Sequence, residues 1–199
     1  FLRSMILGAS QADIAILLVS AANGEFEAGM SSNGQTREYA LLAFTLGIKE
    51  MIVCVNKMGQ RDIQWSETRF TQIKTEVSSY LKKVGYKPDN IPFVPISSFL
   101  GDNLTEKNKN PLSSWYQGPC LLEVLDNLVT PKRPIEKPLR IPIYDVYKIR
   151  GVGTVLTGTV YTGALKLNTQ IAFAISGHCV EAKSLQIFQK DVSEVISGD

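Results

Sequence analysis

The first part of the chain alternates short apolar runs with amphipathic stretches. Residues 14–19, 51–55 and 91–96 are continuous apolar runs of strand length, rich in branched side chains, which is typical of strands buried on both faces. Residues 35–46 place apolar side chains at helical spacing and stop before Gly47. Strands and helices in this order predict an α/β fold, in which a parallel sheet carries helices on both faces.

The clearest helix lies between Trp65 and Gly85. Ser66 can cap its first turn, and Trp65 and Phe70 occupy the positions of a hydrophobic staple. Gly85 provides a stop signal. One face of the helix is apolar at intervals of three and four residues, formed by Phe70, Ile73, Val77, Tyr80, Leu81 and Val84.

The pattern changes at residues 130–138, which hold three prolines and four charged residues. This composition predicts a stiff, solvated linker, so we place a domain boundary here, with one domain at residues 1–135 and the other at 136–199. Beyond it, short runs of Val, Thr and Ile are separated by glycine-containing turns. That pattern predicts part of an antiparallel β-barrel.

Composition narrows the classes of function. The net charge of +2 lacks the electrostatic footprint of a dedicated nucleic-acid-binding protein. Three widely spaced cysteines and the single histidine, His178, do not make a zinc site, so no metal ligand is predicted. No apolar stretch approaches the roughly 20 residues of a membrane span, and no signal-peptide pattern is present. We expect a cytoplasmic protein with reduced thiols and no membrane partner.

Two polar motifs follow the second and third apolar runs. Ligands bind beyond the carboxyl ends of strands in parallel sheets, so we expect both motifs at one site. Asn56-Lys57-Met58-Gly59 resembles the Asn-Lys-x-Asp motif with which GTPases recognise the base, and Ser97-Ser98-Phe99 resembles their second base loop. An Asn amide can brace the loop, a Lys stem can lie along the base, backbone N–H groups can bind the guanine oxygen, and the aromatic residue packs the loop. These seven residues are the predicted guanine-binding set.

Gly59 stands where that motif has an aspartate. The aspartate carboxylate would accept hydrogen bonds from two N–H groups that guanine, but not adenine, presents side by side. Each such charge-assisted bond contributes about 1.5–3 kcal/mol. Because Gly59 cannot make them, we expect guanine binding weaker by roughly two to four orders of magnitude. Asp62 could replace the carboxylate only in a rearranged loop.

Residues 24–31 nearly fit the phosphate-loop pattern. Met30 stands where the pattern requires Lys, and Glu25 and Glu27 would repel phosphate, so we predict a surface loop. The sequence contains no true phosphate loop, no switch threonine and no Asp-x-x-Gly motif. Those parts hold the phosphates and Mg²⁺ in GTPases, so no catalytic residue is predicted in this chain.

Segments along nearly the whole chain resemble eukaryotic elongation factor 1-alpha, a family of translational GTPases. They are residues 10–13, 24–29, 33–38, 93–97, 101–103, 115–119, 137–140, 145–149 and 153–155. The resemblance implies a partial sheet of the P-loop-GTPase type followed by a partial β-barrel. It also implies an interior fragment, which joins the C-terminal part of the GTP-binding domain to the N-terminal part of the barrel and lacks the phosphate loop and switches.

The same resemblance implies ligands and partners. It implies GTP and GDP, with Mg²⁺ held only through the missing N-terminal region, and it implies aminoacyl-tRNA, the ribosome and a nucleotide exchange factor. In the family, the barrel helps to hold the acceptor end of the tRNA near a Val-Glu-Met-His segment. This chain has Leu185-Gln186-Ile187-Phe188 there, so Gln186 and Phe188 are the predicted tRNA contacts, without the charge of the glutamate.

Two other functions stay open. A ribosome-rescue or termination GTPase shares this architecture and binds a release-factor-like protein instead of tRNA. The altered residues of the barrel favour it, whereas residues 101–103 and 145–149 favour the elongation factor. A non-enzymatic binding paralogue with weakened nucleotide affinity is the third hypothesis, and Gly59 favours it.

Overall fold

The chain forms two compact units, which divide between residues 130 and 131. The computed structural model describes residues 8–9, 12–129 and 132–199. The division falls inside the proline-rich stretch in which the linker is predicted. Residues 130 and 131 of that stretch, and residues 10 and 11 of the first family-like segment, lie outside the described residues.

The first unit contains a three-stranded parallel sheet. Its strands are β1 (Ile14–Ser20), β2 (Glu50–Asn56) and β3 (Phe93–Pro95), in the order β1-β2-β3. The register places Ser20 opposite Asn56 and Val55 opposite Pro95. Because the three strands run in the same direction, their carboxyl ends meet at one edge of the sheet.

Helices of the first unit pack around this sheet. They are α1 (Glu25–Met30), α2 (Gln35–Thr45), α3 (Glu67–Val84) and α4 (Leu121–Asp126). Helix α3 begins as predicted, because the Ser66 hydroxyl accepts a hydrogen bond from the Arg69 amide at 3.3 Å. It ends at Gly85, whose φ of 123° favours glycine. Its buried side chains come from the predicted apolar face and are Phe70, Ile73, Val77 and Leu81.

Helix α1 occupies the segment that we predicted to be a surface loop. The Glu27 carboxylate accepts a hydrogen bond from the Gly24 amide at 2.6 Å, which satisfies a free donor at the start of the helix. Phe26 and Met30 lie four residues apart on the same side, and both are buried. The loop prediction was wrong because the burial of this apolar pair outweighs the low helix propensity of the glycines in the segment.

The sheet packs against different clusters on its two faces. On one face Leu17, Val19, Val53 and Val55 join a large core with the buried sides of α2 and α3. On the other face Ile52, Cys54 and Val94 pack against Val124 of α4. This second layer does not extend over β1.

The prediction that β1 is buried on both faces was wrong. Ile16 and Leu18 pair with Ile52 and Cys54 of β2, yet they are 48% and 55% exposed. Their apolar side chains therefore face outward on a surface that nothing among the described residues covers. An apolar run alone does not distinguish a strand covered twice from one covered once.

The second unit consists of antiparallel strand pairs, as predicted. The pairs are β4 (Ile143–Ile149) with β5 (Gly153–Gly158), β6 (Ala164–Lys166) with β11 (Glu194–Ile196), β7 (Gln170–Ala172) with β8 (Cys179–Glu181), and β9 (Leu185–Ile187) with β10 (Lys190–Val192). Its core is smaller and contains Val160, Leu165, Ala182 and Val195. In the part of the chain that the structure describes, no helix has the length and apolar character needed to cross a membrane.

Candidate functional site

The loops that follow β2 and β3 meet at the carboxyl edge of the sheet. The hydrogen bonds between the strands continue into the loops, because the Ile96 amide donates to the Val55 carbonyl at 2.8 Å and the Met58 amide donates to the Ile96 carbonyl at 3.1 Å. On the other side, the Ala21 amide donates to the Asn56 carbonyl at 2.8 Å. The predicted residues 56–59 and 97–99 therefore lie side by side.

The side chain of Asn56 joins the two loops. Its Oδ1 accepts hydrogen bonds from the amides of Lys57, at 2.7 Å, and Ser98, at 3.0 Å. Its Nδ2 donates to the Ser98 hydroxyl at 2.8 Å. Asn56 is only 8% exposed, so these bonds form largely away from solvent. Asn56 holds its own loop and the neighbouring loop in one arrangement, because both amides depend on the same oxygen.

Lys57 is held by a residue of α1. Its φ of 67° places it in the left-handed region, and its ammonium group lies 2.8 Å and 2.5 Å from the two carboxylate oxygens of Glu25. The Ser20 hydroxyl donates to the same carboxylate at 2.7 Å. The hydrogen bond from Lys57, and then that from Ser20, lower the pKa of Glu25 below its ordinary value. Glu25 therefore stays ionised and holds the end of the Lys57 side chain.

Sequence reasoning missed this role of Glu25. From the sequence, Glu25 and Glu27 are predicted only to repel a phosphate. Glu27 accepts a hydrogen bond from the Arg69 guanidinium at 2.9 Å, so α1 is tied to α3 as well as to the loop after β2. Two acidic residues within the first turn of a helix are the signal that could have suggested a structural role, since carboxylates are favoured there.

Met58 and Gly59 differ in what they present to the site. The Met58 side chain is fully buried in the core, so only its backbone remains at the loop. A Cβ atom added to Gly59 would lie 3.1 Å from the Ser97 hydroxyl oxygen and 3.1 Å from the Cδ1 methyl of Leu100. A side chain at position 59 would therefore point at the loop after β3.

The loop after β3 is closed by its own backbone. The amides of Ser97 and Asp102 each donate to the carbonyl of the other at 3.1 Å, and the Asn103 side chain donates to the Pro95 carbonyl at 2.7 Å. Ser98 does not have the positive φ that would require glycine. Phe99 is 96% exposed, so the expectation that its ring packs the loop was wrong. The ring lies at the tip of a turn whose interior is filled by polar backbone groups.

Gln186 and Phe188 lie in the second unit, in and after β9. The Gln186 side chain donates to the Asp191 carboxylate at 2.9 Å, across the hairpin that β9 forms with β10. Phe188 and Gln189 form the turn with φ values of 48° and 64°. The Phe188 ring is 94% exposed. The hairpin therefore presents a bare aromatic ring at its tip, next to a glutamine that is already hydrogen-bonded.

The edge between the two loops offers a set of neutral groups. Within the described residues, the amides of Phe99 and Leu100 donate to no protein acceptor. The Lys57 stem in the loop after β2 is about half exposed, and Glu25 holds its far end. Free amides at a strand end and an aliphatic stem suit a flat, polar-edged ring system such as a purine base. Among the described residues, no cluster of acidic, cysteine or histidine side chains suits a metal ion.

Comparisons with known proteins agree on one family. Residues 1–131 match the family model described as the elongation factor Tu GTP binding domain. Among curated proteins, the chain is 55% identical over 199 residues to elongation factor 1-alpha of Tetrahymena pyriformis and 54% identical to that of Entamoeba histolytica. Both matches cover 100% of this chain, but only 45% and 44% of the relatives. The chain thus spans less than half the length of these relatives.

Solved structures show the same architecture. The structure of sup35 complexed with GMPPNP matches with a TM-score of 0.58 and 36% identity, over 96% of this chain and 47% of that one. The elongation factor SelB from Methanococcus maripaludis, in complex with a GTP analogue, matches with a TM-score of 0.65 over 100% of this chain and 38% of that one. Its identity is 23%, so it supports the fold alone.

Proposed function

The chain belongs to the family of the elongation factor Tu GTP-binding domain, and from that premise we propose that it supplies the base-recognition edge of a translation elongation factor. The whole protein would deliver aminoacyl-tRNA to the ribosome with GTP hydrolysis, as the resemblance to elongation factor 1-alpha implies. The observation that carries the proposal is the Asn56 side chain, which joins the loops after β2 and β3. A purine seat built from two loops needs such a tie to keep its shape.

Membership of a GTP-binding family implies GTP and GDP as ligands, and the residues present fit one side of the guanine base. The free amides of Phe99 and Leu100 suit the guanine C6 oxygen, and the Lys57 stem suits the face of the ring. The other side of the base finds no carboxylate at Gly59. Because the sequence holds no phosphate loop, we propose that the phosphates and Mg²⁺ are bound by residues that this chain does not contain.

The second unit would contribute a contact to the tRNA. Support comes from the exposed Phe188 ring at the tip of the β9–β10 hairpin, because a free aromatic ring can stack on an unpaired base or pack against an aminoacyl group. Gln186 would contact the tRNA while its side chain keeps the hydrogen bond to Asp191. A cytoplasmic location, the ribosome and a nucleotide exchange factor complete the proposal by resemblance.

Titration of fluorescent GTP and ATP tests the proposal on the complete gene product that contains this chain. We expect GTP to bind and Asn56→Ala to weaken binding by about tenfold or more, because the loops lose their tie. Asn33→Ala serves as the matched control, since Asn33 is an exposed turn residue whose side chain makes no hydrogen bond among the described residues. A reading frame without a phosphate loop and switch, or a protein that binds neither nucleotide, would refute the GTPase assignment.

A ribosome-rescue or termination GTPase is the second candidate. The observation that favours it is Gln186, which lacks the charge found in the elongation factors and whose amide group is engaged by Asp191 within the hairpin. Capture of charged tRNA by the complete gene product supports the elongation factor, whereas capture of a release-factor-like protein supports this candidate. A gene product that captures neither and does not bind GTP would fit the third hypothesis, a non-enzymatic paralogue.

A further inference from the structure

We propose that the base site accepts 6-oxopurines as a class, so that hypoxanthine and xanthine nucleotides bind nearly as well as guanine nucleotides. The inference rests on the proposed function, in that the loops after β2 and β3 hold a purine base. It goes further because it names which bases the site distinguishes and which it does not. The end of the site next to Gly59 sets this selectivity.

The groups nearest to Gly59 do not include a charged acceptor. The nearest groups to the place of a Cβ atom are the Ser97 hydroxyl oxygen and the Leu100 Cδ1 methyl, each at 3.1 Å. Ser97 is buried, and its hydroxyl has no hydrogen-bond partner among the described residues. This end of the site therefore offers one neutral hydroxyl and one methyl group.

Three carboxylates among the described residues lie in or next to the loops of the site, those of Glu25, Asp62 and Asp102. Glu25 holds the Lys57 ammonium group and accepts from the Ser20 hydroxyl, so it is already paired. Asp62 is exposed to solvent in the turn after Gly59. Asp102 pairs with Ser97 through the backbone of both residues, and Asp102→Asn tests whether its carboxylate contacts the base.

Asn56 does not distinguish one purine base from another either. Its Oδ1 already accepts two amide hydrogen bonds, from Lys57 and Ser98, so it is not an acceptor for the base. One hydrogen of its Nδ2 is used by the Ser98 hydroxyl. Nδ2 can donate its remaining hydrogen, and every purine base carries a ring nitrogen that can accept it. Asn56 therefore contributes to shape but not to discrimination among purines.

The chemistry of the bases then sets the selectivity. Guanine, hypoxanthine and xanthine all carry an oxygen at C6 and a hydrogen at N1, whereas adenine carries an amino group at C6. Free amides in the loop after β3 can pair with the C6 oxygen but leave the adenine amino group without an acceptor. Only the substituent at C2 separates the three 6-oxopurines. A hydroxyl donates as well as accepts, so Ser97 can meet the guanine amino group or the xanthine oxygen with one neutral bond.

Competition binding tests this inference on the complete gene product. GTP, ITP, XTP and ATP compete with a fluorescent guanine nucleotide. Because one neutral hydrogen bond separates the 6-oxopurines, we expect their affinities to lie within about tenfold of one another, with ATP weaker than all three. In Gly59→Asp, GTP should gain about 10²- to 10⁴-fold and XTP should lose affinity, since the new carboxylate repels the xanthine C2 oxygen.

Gly59→Ala is the matched control. It adds the same Cβ next to Ser97 and Leu100 without a carboxylate, and Gly59 does not have the positive φ that would strain an alanine. Selectivity for GTP should not appear in this variant. If Gly59→Ala restores selectivity as well as Gly59→Asp does, the loop geometry and not the missing charge controls the site, and the inference is wrong.

Other outcomes separate this inference from the proposed function. A wild-type preference for GTP over ITP of about a hundredfold or more overturns the inference but keeps the base site, and Asp102→Asn then shows whether Asp102 reads the guanine amino group. Binding of GTP by Gly59→Asp alone also overturns the inference, since the wild-type site would then accept none of these bases. If neither protein binds any purine nucleotide, the proposed function fails too.

Discussion

Replacing Asn56 with alanine tests how far the two loops depend on one side chain. The substitution removes the acceptor for the Lys57 and Ser98 amides and the donor to the Ser98 hydroxyl. It leaves β2 and its buried apolar side chains in place, because Asn56 is the last residue of the strand. Any loss of stability therefore reports on the tie between the loops.

The expected cost follows from the number of bonds lost. Each bond contributes about 0.5–1.5 kcal/mol net, so the loss of all three lowers the free energy of unfolding by about 1.5–4.5 kcal/mol. Ser98→Ala removes only the bond to Nδ2 and should cost about 0.5–1.5 kcal/mol. Asn56→Asp keeps both acceptor bonds, and the Ser98 hydroxyl can rotate to donate to the new carboxylate. Its cost should stay below that of Asn56→Ala.

Two measurements check this order. Urea denaturation gives the free energy of unfolding for each variant. Hydrogen exchange of the Lys57 and Ser98 amides gives the local effect, and in Asn56→Ala we expect exchange at both to be faster by about a hundredfold. Asn33→Ala should change neither quantity. If Asn56→Ala costs no more than Ser98→Ala and both amides keep their protection, the two loops are not held by this side chain.

Three further predictions concern the core and the titrating groups. Ile73→Ala should lower the free energy of unfolding by about 2–5 kcal/mol because Ile73 is fully buried on α3. Ser79→Ala, on the exposed side of the same helix, should change it by no more than about 0.5 kcal/mol. Equal costs for the two variants would contradict the assigned buried face. Burial raises the pKa of the Cys54 thiol to about 11. A thiol reagent at pH 8 should therefore modify the exposed Cys179 first and Cys54 only on unfolding. Fast modification of a folded Cys179→Ser variant would contradict this prediction. Burial also raises the pKa of Tyr116, from an ordinary value of 10.0 to about 12. The contribution of its neutral hydroxyl to the free energy of unfolding is therefore complete below pH 10 and is lost as the pH rises towards 12. Stability curves of wild type and Tyr116→Phe that stay parallel across this range would refute this prediction.

Local patterns were sufficient for the regular elements of the first unit. The spacing of Phe70, Ile73, Val77 and Leu81 predicted α3 and its buried face, and Ser66 and Gly85 marked its ends. These features depend on neighbours within one or two turns of a helix, so a single sequence contains them. The alternation of strands and helices likewise predicted a parallel sheet with the two polar motifs at one edge.

The same patterns failed where burial depends on distant elements. The run at residues 14–19 predicts a strand covered on both faces. Helix α4 packs against β2 and β3, however, and leaves Ile16 and Leu18 of β1 exposed. Residues 24–31 read as a loop until the positions of Phe26 and Met30 against the core are known. The prediction that the Phe99 ring packs the loop was wrong for the same reason, because its exposure depends on how the turn is filled.

The sequence by itself determined the family, the strand-end position of Asn56, Lys57 and Ser97, and the loss of a carboxylate at Gly59, because these are properties of residue identity and order. Only the tertiary structure decided which groups meet. Asn56 contacts Ser98 across 42 positions and Lys57 contacts Glu25 across 32. Both contacts exist because parallel pairing brings the ends of β1, β2 and β3, with the segments that follow them, to one edge of the sheet. Hydrogen bonds form over about 3 Å of space whatever the distance along the chain, so spacing in the sequence does not reveal them.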